Sequence, residues 1–290
     1  MWQAQHAAEL LQQHSPANDL SLQGIQTTGD IKKDVALHAI GGKALFIKAI
    51  EEALLHGKGD LAVHSMKDMA ALDTVGLFTT CIGKRADPRD ALVTPLAIQG
   101  WQNLPQGACI GTSSLRRAAL LARLRPDLRF EAIRGNIETR INKCMDGQYD
   151  AIVLAAAGLH RLQLTQHIKG YFDTKDMLPA ACQGILAIQC RDDDHACTAW
   201  LKALTDPALH AQSIAERSLC HALGGNCQTP IGAHATILEN DQLCLQAWVA
   251  SLDGRTCLQA QTHGPQEDAY TLGQQAGKQL MDQGAQQLLR

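Results

Sequence analysis

Short apolar strands that alternate with amphipathic helices constrain the fold of this chain more than any other feature of its sequence. The run Ala151–Ala155 is wholly apolar and follows Asp150, which is typical of a strand buried on both faces of a sheet. Shorter strands are predicted at residues 61–64, 109–111 and 130–133. Helical patterns lie between them, so the alternation predicts an α/β fold with parallel sheets of the doubly wound kind.

Helix signals between these strands are clear. Residues 44–55 present an apolar face that includes Phe46. The hydroxyl residues 112–114 are good N-caps for a helix at 115–124. A third helix is predicted after Asn136.

The last third of the chain predicts a smaller α+β domain. Asp206 begins a helix, and apolar and polar residues alternate over 243–249 as in a strand. Asp253 and Gly254 predict a two-residue hairpin turn, and a final helix follows.

The composition argues against several classes of protein. Lys plus Arg number 26 and Asp plus Glu number 29, which gives a net charge of -3, and there are only four Phe, four Trp and three Tyr. These values argue against binding to nucleic acid through bulk positive charge or aromatic stacking. No apolar run is long enough to cross a bilayer, and the N-terminus lacks the features of a signal peptide. We therefore expect a soluble cytoplasmic protein that acts without nucleic acid or membrane.

Among the ten cysteines, Cys227 is the main candidate for thiol chemistry. They contain no CxxC pair, and neither they nor the twelve histidines have the spacing of metal ligands, so no metal is expected. Most of the thiols are expected to be reduced and buried. Cys227 differs because it lies in the backbone-permissive loop 224–230, where a thiol can be exposed and nucleophilic.

Basic residues follow the predicted strands at the points where those strands end. The carboxyl ends of parallel strands form the ligand crevice of an open α/β sheet, and helix N-termini there favour anions. Arginine pairs bidentately with carboxylates and phosphates, so this placement predicts a ligand with several such groups. The residues concerned are Lys67, Arg116, Arg117, Arg134, Arg140 and Arg161.

Each of these charges has an alternative explanation. A single arginine is most often a solvated surface charge, and only the repeated position favours a shared site. Asp68 stands beside Lys67 as the odd anion. It is either a helix N-cap or a carboxylate that stabilises positive charge developing on a substrate. The sequence alone leaves both roles open.

Several motifs together resemble a known family. They are His64-Ser65-Met66-Lys67-Asp68, the run from Gly111 to Arg117, Arg134-Gly135-Asn136 with Arg140, and the loop around Cys227. Asp87-Pro88-Arg89-Asp90 and Gln183-Gly184 add to them. The set is collinear over nearly the whole chain, and it resembles the porphobilinogen deaminase (hydroxymethylbilane synthase) family.

The resemblance implies an enzyme of three domains. The first two would be lobes like those of periplasmic binding proteins, with domain 1 at 1–84 and 185–202 and domain 2 at 89–180, and a C-terminal domain would span 207–290. The implied activity joins four porphobilinogen molecules head to tail into hydroxymethylbilane and releases ammonia, a step of tetrapyrrole (heme) biosynthesis. A covalent dipyrromethane cofactor would prime the chain, and we expect a monomer.

The resemblance also assigns roles to individual residues. Cys227 would hold the cofactor through a thioether, and Asp68 would assist the loss of ammonia and stabilise cationic pyrroles. Substrate would contact Phe46, Arg161 and Gln183. The cofactor-binding side chains would be Ser65, Lys67, Ser114, Arg116, Arg117, Arg134 and Arg140.

Among the places where the sequence departs from the family pattern, two matter most here. Met1-Trp2-Gln3-Ala4 aligns inside the family's first helix, so the preceding strand with its Thr-Arg-x-Ser-x-Leu-Ala motif is expected to be missing. Ala181-Cys182 stands where Val-Gly is usual. Cys182 would then be a second reactive thiol or an inert, packed one.

Two other functions fit part of the pattern. A non-catalytic two-lobed module that binds a polyanionic small molecule would use the same arginines but would need neither Asp68 nor Cys227. A nucleic-acid binder would use the arginine cluster, but it conflicts with the acidic balance and the few aromatic residues.

Overall fold

The described residues form three sheets with helices packed on them. The structure is a computed structural model that describes residues 2–15, 19–25, 44–224 and 229–289, and for residues 44–46 it describes the backbone only. The strands of the described residues are β1 (Ala62–Ser65), β2 (Leu77–Ile82), β3 (Asp90–Val93), β4 (Cys109–Gly111), β5 (Arg129–Glu131), β6 (Ala151–Ala155), β7 (Ile168–Tyr171), β8 (Leu186–Arg191), β9 (Ile231–Ile237), β10 (Leu243–Ala250) and β11 (Cys257–Gly264). The α-helices of the same residues are α1 (Trp2–His14), α2 (Ala44–Leu55), α3 (Leu115–Leu124), α4 (Ile137–Met145), α5 (Ala156–Arg161), α6 (His195–Leu204), α7 (Pro207–Ala222) and α8 (Ala269–Asp282).

The first lobe is a sheet in the order β1-β8-β2 with α1, α2 and α6. Its central strand, β8, comes from far along the chain and is antiparallel to both neighbours. Leu11 of α1 and Leu201 of α6 pack with Ile82 and Ile188 of the sheet in one core cluster. The chain therefore leaves this lobe after β2 and returns to it as β8.

The second lobe is a five-stranded sheet in the order β5-β4-β6-β3-β7, with α3, α4 and α5. β4 pairs in parallel with β5 and β6, whereas β3 is antiparallel to β6 and β7. The expectation of parallel sheets is therefore right for the three strands β4 to β6 and wrong for the other strand pairs of the two lobes. The reason is that the chain passes between lobes twice, at residues 83–89 (the first crossing) and 172–185 (the return crossing), so β3 and β8 run opposite to their neighbours.

The C-terminal domain is an antiparallel sheet in the order β11-β10-β9, packed against α7 and α8. The predicted two-residue hairpin is wrong, because residues 251–256 separate β10 from β11. The Ser251 backbone N–H donates to Thr256 O at 2.8 Å, and the Gly254 backbone N–H donates to Ser251 O at 2.9 Å. A Cβ at Gly254 would lie 2.6 Å from the carbonyl oxygen of Ala119, so this wider loop docks closely on α3.

Several elements match their sequence predictions closely. The helix Leu115–Leu124, the strand Ala151–Ala155 and the helix Ala44–Leu55 have the expected bounds. Ser114 is the N-cap of α3 and accepts from the Arg117 backbone N–H at 3.4 Å, as the hydroxyl run indicates. Helix caps are local signals, and the sequence alone can locate them.

The described part of the chain contains no helix that is both long and apolar enough to span a bilayer. Within the same residues, no cluster of three or more His, Cys, Asp or Glu side chains could hold a metal ion. The nine cysteines there are free thiols, and six of them are buried.

Candidate active site

The turn that carries Lys67 and Asp68 lies where β1 ends. Met66–Asp68 forms a single 3-10 turn, and the Met66 backbone N–H donates to Ile185 O at 3.1 Å. Just before it, Ser65 Oγ accepts from Gln3 Nε2 of α1 at 2.7 Å. Asp68 is half-buried, so the turn presents a carboxylate that still has access to a ligand.

Gln183 joins this turn to the second lobe. It lies on the return crossing with 1% of its surface exposed. Its Oε1 accepts from Lys67 Nζ at 3.2 Å, and its Nε2 donates to Pro88 O at 2.7 Å and to Asp90 Oδ1 at 3.0 Å. The predicted substrate residue is thus a bridge between the two lobes.

Arg116 and Arg117 converge on one buried carboxylate, that of Asp90. Arg116 Nη2 lies 2.8 Å from Asp90 Oδ2, and Arg117 donates to Asp90 Oδ1 from Nε at 3.0 Å and from Nη2 at 2.8 Å. The Nη1 atom of each guanidinium reaches backbone: Arg116 Nη1 donates to Leu178 O and Arg117 Nη1 to Val153 O, both at 2.8 Å. Two guanidinium groups share one carboxylate, so the cluster keeps an excess positive charge.

The electrostatics of this cluster follow from its burial. Burial alone would raise the pKa of Asp90, but Arg116 and Arg117 outweigh it and hold that pKa well below its usual range. Burial lowers the pKa of Arg116, since a cation there has lost its water. A second anion supplied by a ligand would balance the excess charge.

Arg140 and Arg134 lie around the N-terminus of α4. Asn136 is the N-cap and accepts from the Thr139 backbone N–H at 2.8 Å, while Arg140 Nε donates to Gly135 O at 2.7 Å. Burial lowers the pKa of Arg140, the charge of Arg117 lowers it further and Asp68 opposes both. The charge of Asp68 in the first lobe therefore acts on Arg140 in the second lobe. Arg134 is half-exposed, and its carbonyl accepts from Lys143 Nζ at 3.3 Å.

Arg161 ends α5 and contacts both lobes. Its Nη2 donates to Gly184 O of the return crossing at 2.9 Å, and its guanidinium carbon lies 5.7 Å from the centre of the Trp2 ring in α1. Burial lowers its pKa. A desolvated guanidinium at the boundary between the lobes is suited to an incoming carboxylate.

The remaining predicted residues divide into two groups. Ser114 is described and caps α3, beside Arg116 and Arg117. Cys227 lies outside the described residues, and for Phe46 only the backbone, in the first turn of α2, is described.

Sequence reasoning missed the roles of Asp90 and Gln3. Asp90 organises the arginine pair, and Gln3 contacts the turn through Ser65. A charged residue at the start of the apolar run 90–93 was a usable signal for Asp90, because a carboxylate there must be paired if buried. The sequence around Gln3 carries no comparable signal.

Cys182 is packed rather than exposed. It is 1% exposed, its Sγ donates to Ser213 O at 3.8 Å, and burial raises its pKa well above the ordinary value for a thiol. Its φ of 60° lies in the left-handed region, which explains why glycine suits this position. Of the two alternatives for this thiol, the structure favours inert packing.

Cys182 is therefore expected to resist alkylation in the native protein. Because the thiolate is the reactive form and burial disfavours it, we expect its labelling by iodoacetamide to be at least ~10³-fold slower than that of free cysteine. Peptide mass mapping after timed labelling measures this rate, and the unfolded protein serves as the control in which Cys182 reacts fully. Native labelling of Cys182 at the rate of free cysteine would contradict the assignment.

Known proteins are similar to this chain over nearly its whole length. A family model described as "Porphobilinogen deaminase, dipyromethane cofactor binding domain" matches residues 1–199, and "Porphobilinogen deaminase, C-terminal domain" matches residues 210–282. A protein of Syntrophobacter fumaroxidans named porphobilinogen deaminase is 46% identical over 274 residues, which cover 94% of this chain and 88% of that protein. One of the same name from Chromobacterium violaceum is 44% identical over 289 residues, covering 100% of this chain and 93% of that protein.

Two solved structures show a distant resemblance to the chain. The periplasmic VFT2 domain of Bordetella pertussis BvgS has 15% sequence identity and a TM-score of 0.41, and covers 68% of this chain and 74% of that one. A structure concerned with glutathione import via GshT in Streptococcus mutans has 12% identity and a TM-score of 0.38, and covers 76% and 84% of the two chains.

The fold and the site together define the class of protein to which the chain belongs. The chain is a two-lobed α/β protein with a small C-terminal domain, and cations gather where its lobes meet. It belongs to the porphobilinogen deaminase family, because family models and relatives of that name match nearly its whole length.

Proposed function

We propose that this protein condenses four porphobilinogen molecules head to tail into hydroxymethylbilane, starting from a dipyrromethane cofactor held by Cys227. Each addition breaks the carbon–nitrogen bond of an aminomethyl group, releases ammonia and forms a carbon–carbon bond at an unsubstituted pyrrole carbon, which loses its proton. The protein is thus a transferase of tetrapyrrole biosynthesis. The observation that carries this proposal is the buried excess of positive charge on Arg116 and Arg117, together with the half-buried Asp68, whose charge acts on Arg140.

The cation cluster fits the cofactor and substrate by charge. Each pyrrole unit carries an acetate and a propionate, so the linked units present many carboxylates. Lys67, Arg134 and Arg140 would bind the carboxylates of the cofactor together with the excess charge of the Asp90 cluster, and Ser65 and Ser114 would add hydrogen bonds. Arg161 and Gln183 would contact the incoming substrate, with Phe46 nearby. When bound, the dipyrromethane group supplies the free pyrrole carbon at which growth begins.

Asp68 has the chemical role in this proposal. Loss of ammonia leaves positive charge on the substrate, and a carboxylate fixed beside it stabilises that charge without rearranging in the transition state. The surrounding cations hold the substrate by its carboxylates and leave Asp68 as the anion for the reacting end. Binding and chemistry are thus divided between residues of opposite charge.

We also propose that the protein works in the cytoplasm as a monomer. Its nine described cysteines are free thiols, which suits a reducing compartment. Sedimentation velocity over a range of concentrations tests the monomer.

Intact mass of the denatured protein tests the function most directly. We expect a covalent increment equal to two linked pyrrole units, located by peptide mapping on the peptide that contains Cys227. A Cys227→Ser variant is expected to lose both the increment and turnover. A Cys257→Ser variant, which alters a half-exposed thiol of the C-terminal domain, should keep both.

Two other results would contradict parts of this proposal. An unmodified chain that still binds a polyanionic small molecule would support the binding module and overturn the transferase. An increment that remains in Cys227→Ser would place the attachment elsewhere.

A further inference from the structure

A buried polar cluster lies between α2 and the first sheet. At its centre is Gln189 of β8, which is fully buried. Gln189 Nε2 donates to Glu51 Oε1 of α2 at 3.1 Å and to Thr79 Oγ1 of β2 at 3.0 Å. Glu51 also accepts from Thr74 Oγ1 at 2.8 Å, so α2 is fastened to the sheet by its carboxylate.

Two atoms of this cluster lack a hydrogen-bond partner among the described residues: His64 Nε2 and Gln189 Oε1. The register pairs Ala62 with Gln189 and His64 with Ala187, so His64 and Gln189 are diagonal neighbours on the same face of the sheet. One atom can donate and the other can only accept. Leaving either unpaired in the interior is costly, whereas pairing them removes both penalties.

The protonation state of His64 agrees with such a pair. Its side chain is buried, and burial lowers its pKa, against the opposing effects of Glu51 on α2, Gln189 on β8 and the nearby Asp68. A neutral imidazole carries one N–H and one acceptor nitrogen. The hydrogen must be on Nε2 if that atom is to donate to an amide oxygen.

We propose that His64, with its hydrogen on Nε2, donates to Gln189 Oε1 and is a positioning residue for the Lys67–Asp68 turn. β1 has four residues and, in the described sheet, pairs only with β8, so its side-chain contacts hold the point where the turn begins. Through Gln189 and Glu51 the link continues to α2, whose first turn carries Phe46. It therefore fixes two elements of the site relative to each other, and this role rests on the proposed function of Asp68.

Kinetics of His64 variants test the positioning role. A His64→Met variant has no donor, and we expect kcat to fall about 10- to 100-fold with KM within about twofold, because a small displacement of a catalytic group costs rate rather than binding. His64→Gln retains an N–H donor and is expected to stay within about threefold of the parent. The matched control is His210→Met, since His210 Nδ1 is also buried without a partner in the described residues but lies on α7. It should keep the parental kcat.

Two further measurements do not depend on turnover. Nitrogen-15 NMR of the parent should show His64 as the neutral tautomer protonated on Nε2 at about pH 7, with that resonance shifted in Gln189→Met. Amide exchange at Lys67 and Asp68 should be about tenfold faster in His64→Met than in the parent. If the parent has no turnover, the proposed function fails, and these two measurements still decide whether the link exists.

Three results would overturn the positioning role. They are an Nδ1–H or charged His64, a His64→Met variant with parental kcat while fully folded, and equal kcat losses in His64→Met and His210→Met.

Discussion

An Asp68→Ala variant is expected to lose about 10³-fold in kcat while it keeps the covalent cofactor on Cys227. The loss follows from removing a fixed charge that stabilises a developing opposite charge, an effect that reaches ~10² to 10³-fold for single groups in other enzymes. KM should not rise, because the substrate is bound through its carboxylates and removing an anion from a cationic site does not weaken that attraction. A loss in kcat alone indicates an interaction made in the transition state.

Steady-state release of ammonia and intact mass together measure this outcome. Asp68→Asn keeps the size of the side chain but not its charge, and we expect it to lose nearly as much activity as Asp68→Ala. The matched control is Asp73→Asn, since Asp73 lies on the following loop and pairs with Arg217 at 2.7 Å. Normal turnover in Asp68→Ala would remove this carboxylate from the chemistry, and parental turnover in Asp68→Asn would show that its charge is not needed.

The local parts of the fold and site could be predicted from the sequence. The strand Ala151–Ala155 and the cap at Ser114 depend on neighbouring residues, so periodicity and capping locate them. The reversed directions of β3 and β8 could not be predicted in this way, because they result from the two crossings between lobes. The Asp253-Gly254 turn is wrong for a similar reason: its loop is shaped by contact with α3.

The ion-pair partners of the site could not be predicted from the sequence either. The sequence places Arg116 and Arg117 after a strand and predicts a cationic crevice, but it does not show that Asp90 neutralises part of their charge. That contact joins residues 27 positions apart for Arg117 and depends on how β3 lies beside β6. Residue type and spacing thus indicate the chemistry of the site, whereas its net charge depends on tertiary contacts.

Glu216 couples the C-terminal domain to both crossings between the lobes. This fully buried carboxylate of α7 binds Arg85 of the first crossing, with Arg85 Nη1 to Oε1 at 2.7 Å and Arg85 Nη2 to Oε2 at 3.1 Å. It also accepts from the backbone N–H of Cys182 on the return crossing and from that of Ala235 in β9, the latter at 2.6 Å. Burial alone would raise the pKa of Glu216, but Arg85 and His234 outweigh it and lower that pKa to about 2.

An Arg85→Met variant is expected to lose about 3–5 kcal/mol in the free energy of unfolding near neutral pH, because it leaves a buried carboxylate without its cation. Chemical denaturation, followed by far-UV circular dichroism, measures the loss. Lys278→Met removes one partner of an exposed pair with Asp282 and is expected to change the same quantity by less than about 1 kcal/mol. A double variant, Arg85→Met with Glu216→Met, should recover only part of the loss, since the N–H groups of Cys182 and Ala235 would then be unpaired.

The pH dependence of the unfolding free energy tests this prediction most directly. In the parent, the folded pKa of Glu216 lies below its unfolded value, so the stability that Glu216 contributes is present above about pH 4.5 and is lost as the pH falls towards 2. In Arg85→Met, the largest effect that opposes burial is removed, so the folded pKa of Glu216 rises above its value in the parent. The difference in unfolding free energy between parent and variant should therefore be largest near pH 7 and shrink as the pH falls towards 2. A difference that is constant over this range would show that the cost of Arg85→Met comes from lost packing and not from an unpaired charge on Glu216.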